Sequence, residues 1–172
     1  MRPGNEMVDG DKIDLLRKAL SSDRVCFLAD GQKQSALRRL IEVLSTGPGV
    51  RDKAELEQAV FEREALMSTG IGLGLAVPHV RIPSVSDLTM AVGISRDGIG
   101  DYASLDDRPV HLIFMIAAPT GEHAAYLRLL SVISSRAKDL NGRLLQCPDT
   151  AAFYDLLTET GNKPERSFGS ET

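Results

Sequence analysis

The chain has 172 residues, 42% of them hydrophobic and 26% charged, with a net charge of −4. This is ordinary globular usage, so the body of the chain is expected to fold as one domain that buries roughly 70% of its unfolded surface. The acidic balance argues against a nucleic-acid partner, whose surface would be basic, and the longest apolar run, Leu112 to Ala118, is far short of the ~20 residues that span a membrane.

Residues 1–10 are polar, carry glycine and proline and lack an apolar leader segment, so a flexible N-terminus is expected. Ile13, Leu16 and Leu20 then fall at helical spacing within Asp11 to Leu20. Val25 to Leu28 reads as a strand ending in an Asp30-Gly31 turn. Leu37, Leu40, Ile41 and Leu44 form one helix face, closed by Thr46-Gly47-Pro48-Gly49. A further helix runs from Asp52 to about Leu66, with Leu56, Ala59 and Val60 inward, and breaks at Ser68-Thr69-Gly70.

Leu73 to Val77 reads as a strand, and Leu88 to Ile94 alternates as a second one. Asp97 to Asp101 is expected to be a loop. Val110 to Ile116 is nearly continuous apolar sequence, as in a central buried strand. A helix from about Glu122 to Lys138 should turn Leu127, Leu130 and Ile133 inward, and the last helix covers about Thr150 to Leu157. Residues 161–172 read as a flexible polar tail. The pattern predicts an α/β (α+β) fold, a sheet covered by helices, over residues 11–160. Cys26 and Cys147 are too few for a disulfide framework, which suits reduced thiols in a cytoplasmic protein.

The stretch TGIGLGLAVPH, Thr69 to His79, carries the chemistry. Read as a strand, its three glycines leave a strip of bare backbone that costs roughly 0.5–1 kcal/mol per glycine. Tight packing within the domain accounts for such a strip, and so does the close approach of a partner. The run is not a nucleotide loop: it lacks G-x-G-x-x-G spacing and a following Gly-Lys-Ser/Thr, and it ends in Pro78. Pro78 presents His79 rigidly. Arg63 lies upstream, and Ser68 and Thr69 bring hydroxyls to the same turn. An imidazole with a pKa near 6.5 is a nucleophile at neutral pH without a helper base. A guanidinium and hydroxyls suit the phosphoryl dianion it would take up. No H-x-H or H-E-x-x-H spacing offers a metal site, so neither metal nor cofactor is expected.

The segment REALMSTGIGLGLAVPHVR, together with RPVHLIFMIAAP, resembles the fructose/mannitol-type enzyme IIA domains of the bacterial phosphotransferase system, which include nitrogen-regulatory IIA proteins. The resemblance covers about Ile13 to Leu157. It implies a mixed parallel and antiparallel sheet flanked by helices on both faces. It further implies that His79 receives a phosphoryl group from HPr, or a nitrogen-type homologue of it, with Arg63 steadying the group. Onward partners would be a IIB domain, or a transporter or kinase that the protein regulates.

One departure stands out. The family carries a second histidine early in the helix after the Ala-Pro turn, where this chain has Tyr126. His123, one helical turn earlier, or the Tyr126 hydroxyl is left to take its part. Val80 replaces the small residue usual after the active histidine. His111, inside an apolar strand, is read as structural, and Arg81 as a cation on the rim. A binding module that keeps the docking surface but has lost transfer is the alternative function.

Overall fold

The computed structural model describes residues 7–140 and 142–160; the tail expected at 161–172 and the first six residues of the expected flexible N-terminus lie outside them. Five helices and six strands run in the order α1 (Asp9–Ala19), β1 (Val25–Phe27), α2 (Lys33–Leu44), α3 (Lys53–Leu66), β2 (Gly70–Gly72), β3 (Leu75–Ala76), β4 (His79–Arg81), β5 (Thr89–Ile99), β6 (Val110–Ala118), α4 (His123–Asp139) and α5 (Thr150–Leu157). Asp9 and Gly10 are already helical, so α1 starts inside the segment read as flexible.

The sheet is mixed. Its strands lie in the order β1-β5-β6-β3-β2, with β4 also pairing β6. Strand β1 is parallel to β5, β5 antiparallel to β6, and β3 and β4 are both parallel to β6. The apolar run of β6 is explained by burial on both faces. Leu112, Phe114 and Ile116 pack into one cluster with Leu16, Leu129, Ile133 and Phe153 of α1, α4 and α5. Ile113, Met115 and Ala117 pack into the other with Leu37, Leu40, Ile41, Leu56 and Val60 of α2 and α3. Helices therefore cover both faces, as the resemblance implied.

Local signals fix several helix starts. Asp52 and Asp149 cap α3 and α5 by accepting from the Glu55 and Ala152 amides at 3.0 and 2.8 Å. Helix α2 has no such residue of its own, and Asp101 caps it from a distant loop, accepting from the Lys33 amide at 2.8 Å.

Three local expectations are corrected. Residues 70–77 are not one strand with a bare glycine face: β2 and β3 form an antiparallel hairpin. Gly72, Leu73 and Gly74 have φ of +91°, +57° and +75°, the left-handed turn that glycine takes at least cost. Gly70 is needed for packing, since a Cβ there would lie 2.2 Å from the Ala103 carbonyl oxygen. Glycines therefore serve the hairpin and its close contact with the 103–104 segment rather than an open platform for a partner. Strand β5 runs on through Asp97 and Gly98 to Ile99, where a loop was expected. In α4 the inward face is Tyr126, Leu129, Val132 and Ile133, while Leu127 is 49% exposed and Leu130 only partly buried.

Gly70→Ala should cost about 2–3 kcal/mol in urea denaturation, because backbone on both sides must shift. Gly100→Ala, which meets open space, should cost under about 0.5 kcal/mol.

Candidate functional site

The site lies at the end of β6 where its chain leaves for α4. Strands β3 and β4 occupy one line along the same edge of β6, Leu75 and Ala76 opposite Leu112 and Ile113, His79 to Arg81 opposite Ile116 to Ala118. Val77 and Pro78 interrupt the line. Proline has no amide hydrogen to give to a ladder, but its carbonyl still accepts from the Ile116 amide at 2.9 Å. His79 thus opens a new strand next to a break instead of closing the strand before it.

The ring of His79 is partly buried, and its Nδ1 lies 2.7 Å from the Val77 carbonyl oxygen. A carbonyl only accepts, so Nδ1 carries the proton and Nε2 keeps its lone pair. Burial pushes the ring below the usual histidine pKa; the Val77 bond and Glu64 oppose this, while the charges of Arg63 and Arg81 add to it. His79 is therefore a neutral imidazole at physiological pH, with its nucleophilic nitrogen fixed as Nε2.

Tyr126 packs beside it, ring centroids 5.2 Å apart and planes tilted by 38°. The tyrosine is only 5% exposed. Its hydroxyl makes no hydrogen bond within the described residues, and burial raises its pKa, so it stays a neutral donor. His123 lies farther along, its ring centroid 6.4 Å from that of Tyr126, which thus neighbours both imidazoles. His123 is not simply solvated: its Nδ1 accepts from Nη1 of Arg81 at 2.8 Å. Arg63 donates Nη1 to the Met67 carbonyl at 3.0 Å, which holds its guanidinium at the end of α3. Among the described residues, no carboxylate pairs with Arg63 or Arg81.

The two hydroxyls are used differently from the expectation. Ser68 Oγ donates to the Ala103 carbonyl at 2.6 Å. Thr69 is buried, and its Oγ1 donates to Glu64 Oε2 at 2.8 Å while lying 2.7 Å from the Tyr102 hydroxyl. Each proton is spent inside the protein, so the expectation that these hydroxyls donate to a bound anion is corrected. They fasten the β2–β3 hairpin. Glu64 is the hub the sequence reading missed: it also accepts from the Thr69 amide at 3.0 Å and pairs with Lys33 Nζ at 2.9 Å. Its place directly after Arg63, one turn from the end of α3, was the available signal. His111 has a structural part, its Nδ1 lying 2.9 Å from the Ser95 carbonyl. No cluster of three metal-ligating side chains occurs among the described residues, and no helix among them is long and apolar enough to cross a membrane.

A neutral imidazole with one free nitrogen, near enough to feel two guanidiniums that no described carboxylate pairs, can attack an electrophile that arrives with its own negative charge. The family described as "Phosphoenolpyruvate-dependent sugar phosphotransferase system, EIIA 2" matches residues 18–160. The chain is 35% identical over 130 residues to the PTS system fructose-specific EIIABC component of Bacillus subtilis, covering 74% of this chain and only 20% of that longer protein. It is 30% identical over 135 residues to the nitrogen regulatory protein of Pseudomonas aeruginosa, covering 77% and 86% of the two chains. In structure it resembles nitrogen regulatory protein IIA-Ntr from Neisseria meningitidis, with a TM-score of 0.75, 26% identity and coverage of 83% and 99%.

Burial of the His79 ring has a measurable consequence. Its NMR titration midpoint should lie below 6.5. Between that midpoint and pH 6.5 the unfolded chain binds the proton that the folded one refuses, so stability falls as pH drops through this window. Denaturation curves should show the wild type losing stability there relative to His79→Gln, with the difference constant above about pH 7.

Proposed function

Because the chain belongs to the EIIA 2 family of the phosphoenolpyruvate-dependent sugar phosphotransferase system, we propose that His79 carries a phosphoryl group received from HPr or a nitrogen-type homologue of HPr. The observation that carries this reading is the His79 ring itself. Its Nδ1–H is tied to Val77, its Nε2 is free, and its surroundings keep it neutral.

The Nε2 lone pair forms the new P–N bond as the P–N bond of the donor phosphohistidine breaks. The bonding pair stays on the donor's ring nitrogen. The Nδ1–H that His79 retains, held by the Val77 carbonyl, keeps positive character on the phosphorylated ring. Such a ring is a good leaving group, so the phosphoryl group can be passed on. Arg63 offsets the negative charge of the group, and the Tyr126 hydroxyl donates a hydrogen bond to it in place of the second histidine. Ser68 and Thr69 act from behind by fixing the hairpin, and His123 acts through the rim. The exchange needs no metal and belongs in the cytoplasm.

The destination is supported from two sides. The Bacillus subtilis relative is a fructose-specific EIIABC component, which suggests onward transfer to a IIB domain. The Pseudomonas aeruginosa and Neisseria meningitidis proteins are nitrogen regulatory, which suggests that the charge state of His79 tunes binding to a regulated transporter or kinase. Tyr126 at the second-histidine position favours one other reading, a binding module that docks partners without transferring phosphate.

Phosphorylated HPr should deposit acid-labile phosphate on the wild type and none on His79→Ala. Arg63→Gln should slow uptake about tenfold or more, the scale of one lost charge-assisted contact. Tyr126→Phe should slow it about threefold to tenfold. A wild type that binds HPr and takes no label would establish the binding module instead.

A further inference from the structure

We propose that Arg81 is a second phosphoryl-holding guanidinium and that His123 is the positioning residue that aims it. This rests on the reading of His79 as the phosphoryl acceptor. His79 and Arg81 are positions i and i+2 of β4, so both side chains leave the same face of the strand, about 7 Å apart along it. Val80 between them points the other way, into the core cluster under α2 and α3. The chain therefore places a cation beside the nucleophile by strand periodicity alone.

Periodicity does not by itself hold a long exposed arginine in place. His123 does that from the first residue of α4, accepting from Arg81 Nη1 at 2.8 Å. As the acceptor, its Nδ1 is unprotonated, and its proton sits on Nε2. The contact ties β4 to α4 across the site, with the Tyr126 ring beside both imidazoles. One Nη1 hydrogen is used, and the rest of the guanidinium fork remains available for phosphoryl oxygens. Among the described residues, no carboxylate competes for it. The charge of Arg81 is already felt at both His79 and Tyr126, lowering the pKa of each.

In this arrangement the histidine missing from the second-histidine position has not been lost from the site. An imidazole one helical turn earlier acts through an arginine, and a phenol fills the space beside His79. The phosphoryl group would sit between Arg63 at the end of α3 and Arg81 on β4.

The test uses the full chain with two donors, phosphorylated HPr and the small molecule phosphoramidate, so that docking and the site itself are read separately. Arg81→Gln should slow uptake from both donors about tenfold. His123→Ala should reproduce most of that loss. His123→Asn should recover it, because the Asn side-chain oxygen occupies the place of Nδ1 and accepts the same bond. The double variant Arg81→Gln/His123→Ala should be no slower than Arg81→Gln alone. Both side chains are exposed, so the melting temperature should hold in every variant.

Wild-type uptake rates in Arg81→Gln would overturn the proposal, and an additive double variant would overturn the positioning role of His123. A third readout needs no phosphate: Arg81→Gln should raise the His79 titration midpoint. If the midpoint rises while the wild type takes label from neither donor, the phosphocarrier reading has failed and this proposal with it. If the wild type takes label and the midpoint does not move, only the placement of Arg81 has failed.

Discussion

The hydrogen bond from the His79 ring to the Val77 carbonyl sets the chemistry of the site. It forms because the Val77 carbonyl faces away from β6: β3 and β4 keep one register along β6, and the carbonyls that accept from it include those of Gly74 and Pro78. Outside that ladder, the Val77 carbonyl accepts from the side chain two residues on and selects one tautomer. Selecting the tautomer also selects which nitrogen keeps its lone pair. Burial then keeps the proton off that nitrogen, in the same direction as the two nearby guanidiniums. The tautomer thus follows from which way one carbonyl faces, and the charge state from burial.

Behind this front lies a buried polar network that reacts with nothing. Glu64 gathers the Thr69 amide and hydroxyl and the Lys33 ammonium, and Lys33 lies 4.5 Å from the centre of the Tyr102 ring. Tyr102, with its pKa pushed far up by burial, stays a neutral donor facing Thr69. These contacts join the start of α2, the end of α3, the hairpin and the loop after β5. Each group has a partner, which is what makes a buried carboxylate tolerable. Arg63 stands next to this hub in the chain, and the Met67 carbonyl holds its guanidinium at the end of the same helix. Fixed charges need no rearrangement when a dianion arrives, and this is the advantage of preorganisation.

Much of the fold was legible because burial leaves a periodic trace. The run at β6 and the helix face of Leu37, Leu40, Ile41 and Leu44 both read correctly, each being set by the two-sided or one-sided exclusion of water. The glycine run was not legible. Alternation of glycine and aliphatic residues looks like a strand, and only the left-handed φ values at 72–74, fixed by tertiary contacts, reveal a turn. In α4 the sequence Tyr126-Leu127-Arg128-Leu129-Leu130 permits two neighbouring faces, and the one chosen buries the tyrosine against His79. His79 and Arg63 could be named from the motif. The partnership of Arg81 with His123 could not, because it joins a strand to a helix 42 positions away.

The segment from Arg63 to Arg81 holds the whole motif, yet nearly everything that shapes it comes later in the chain. Strand β6 carries β3 and β4, α4 brings Tyr126 and His123, and the loop at 101–106 clasps the hairpin. A polypeptide still being made on the ribosome and ending before Val110 would contain His79 and lack the strand that seats it. The arrangement of His79, Tyr126, Arg81 and His123 therefore assembles only once β6 and α4 have been made.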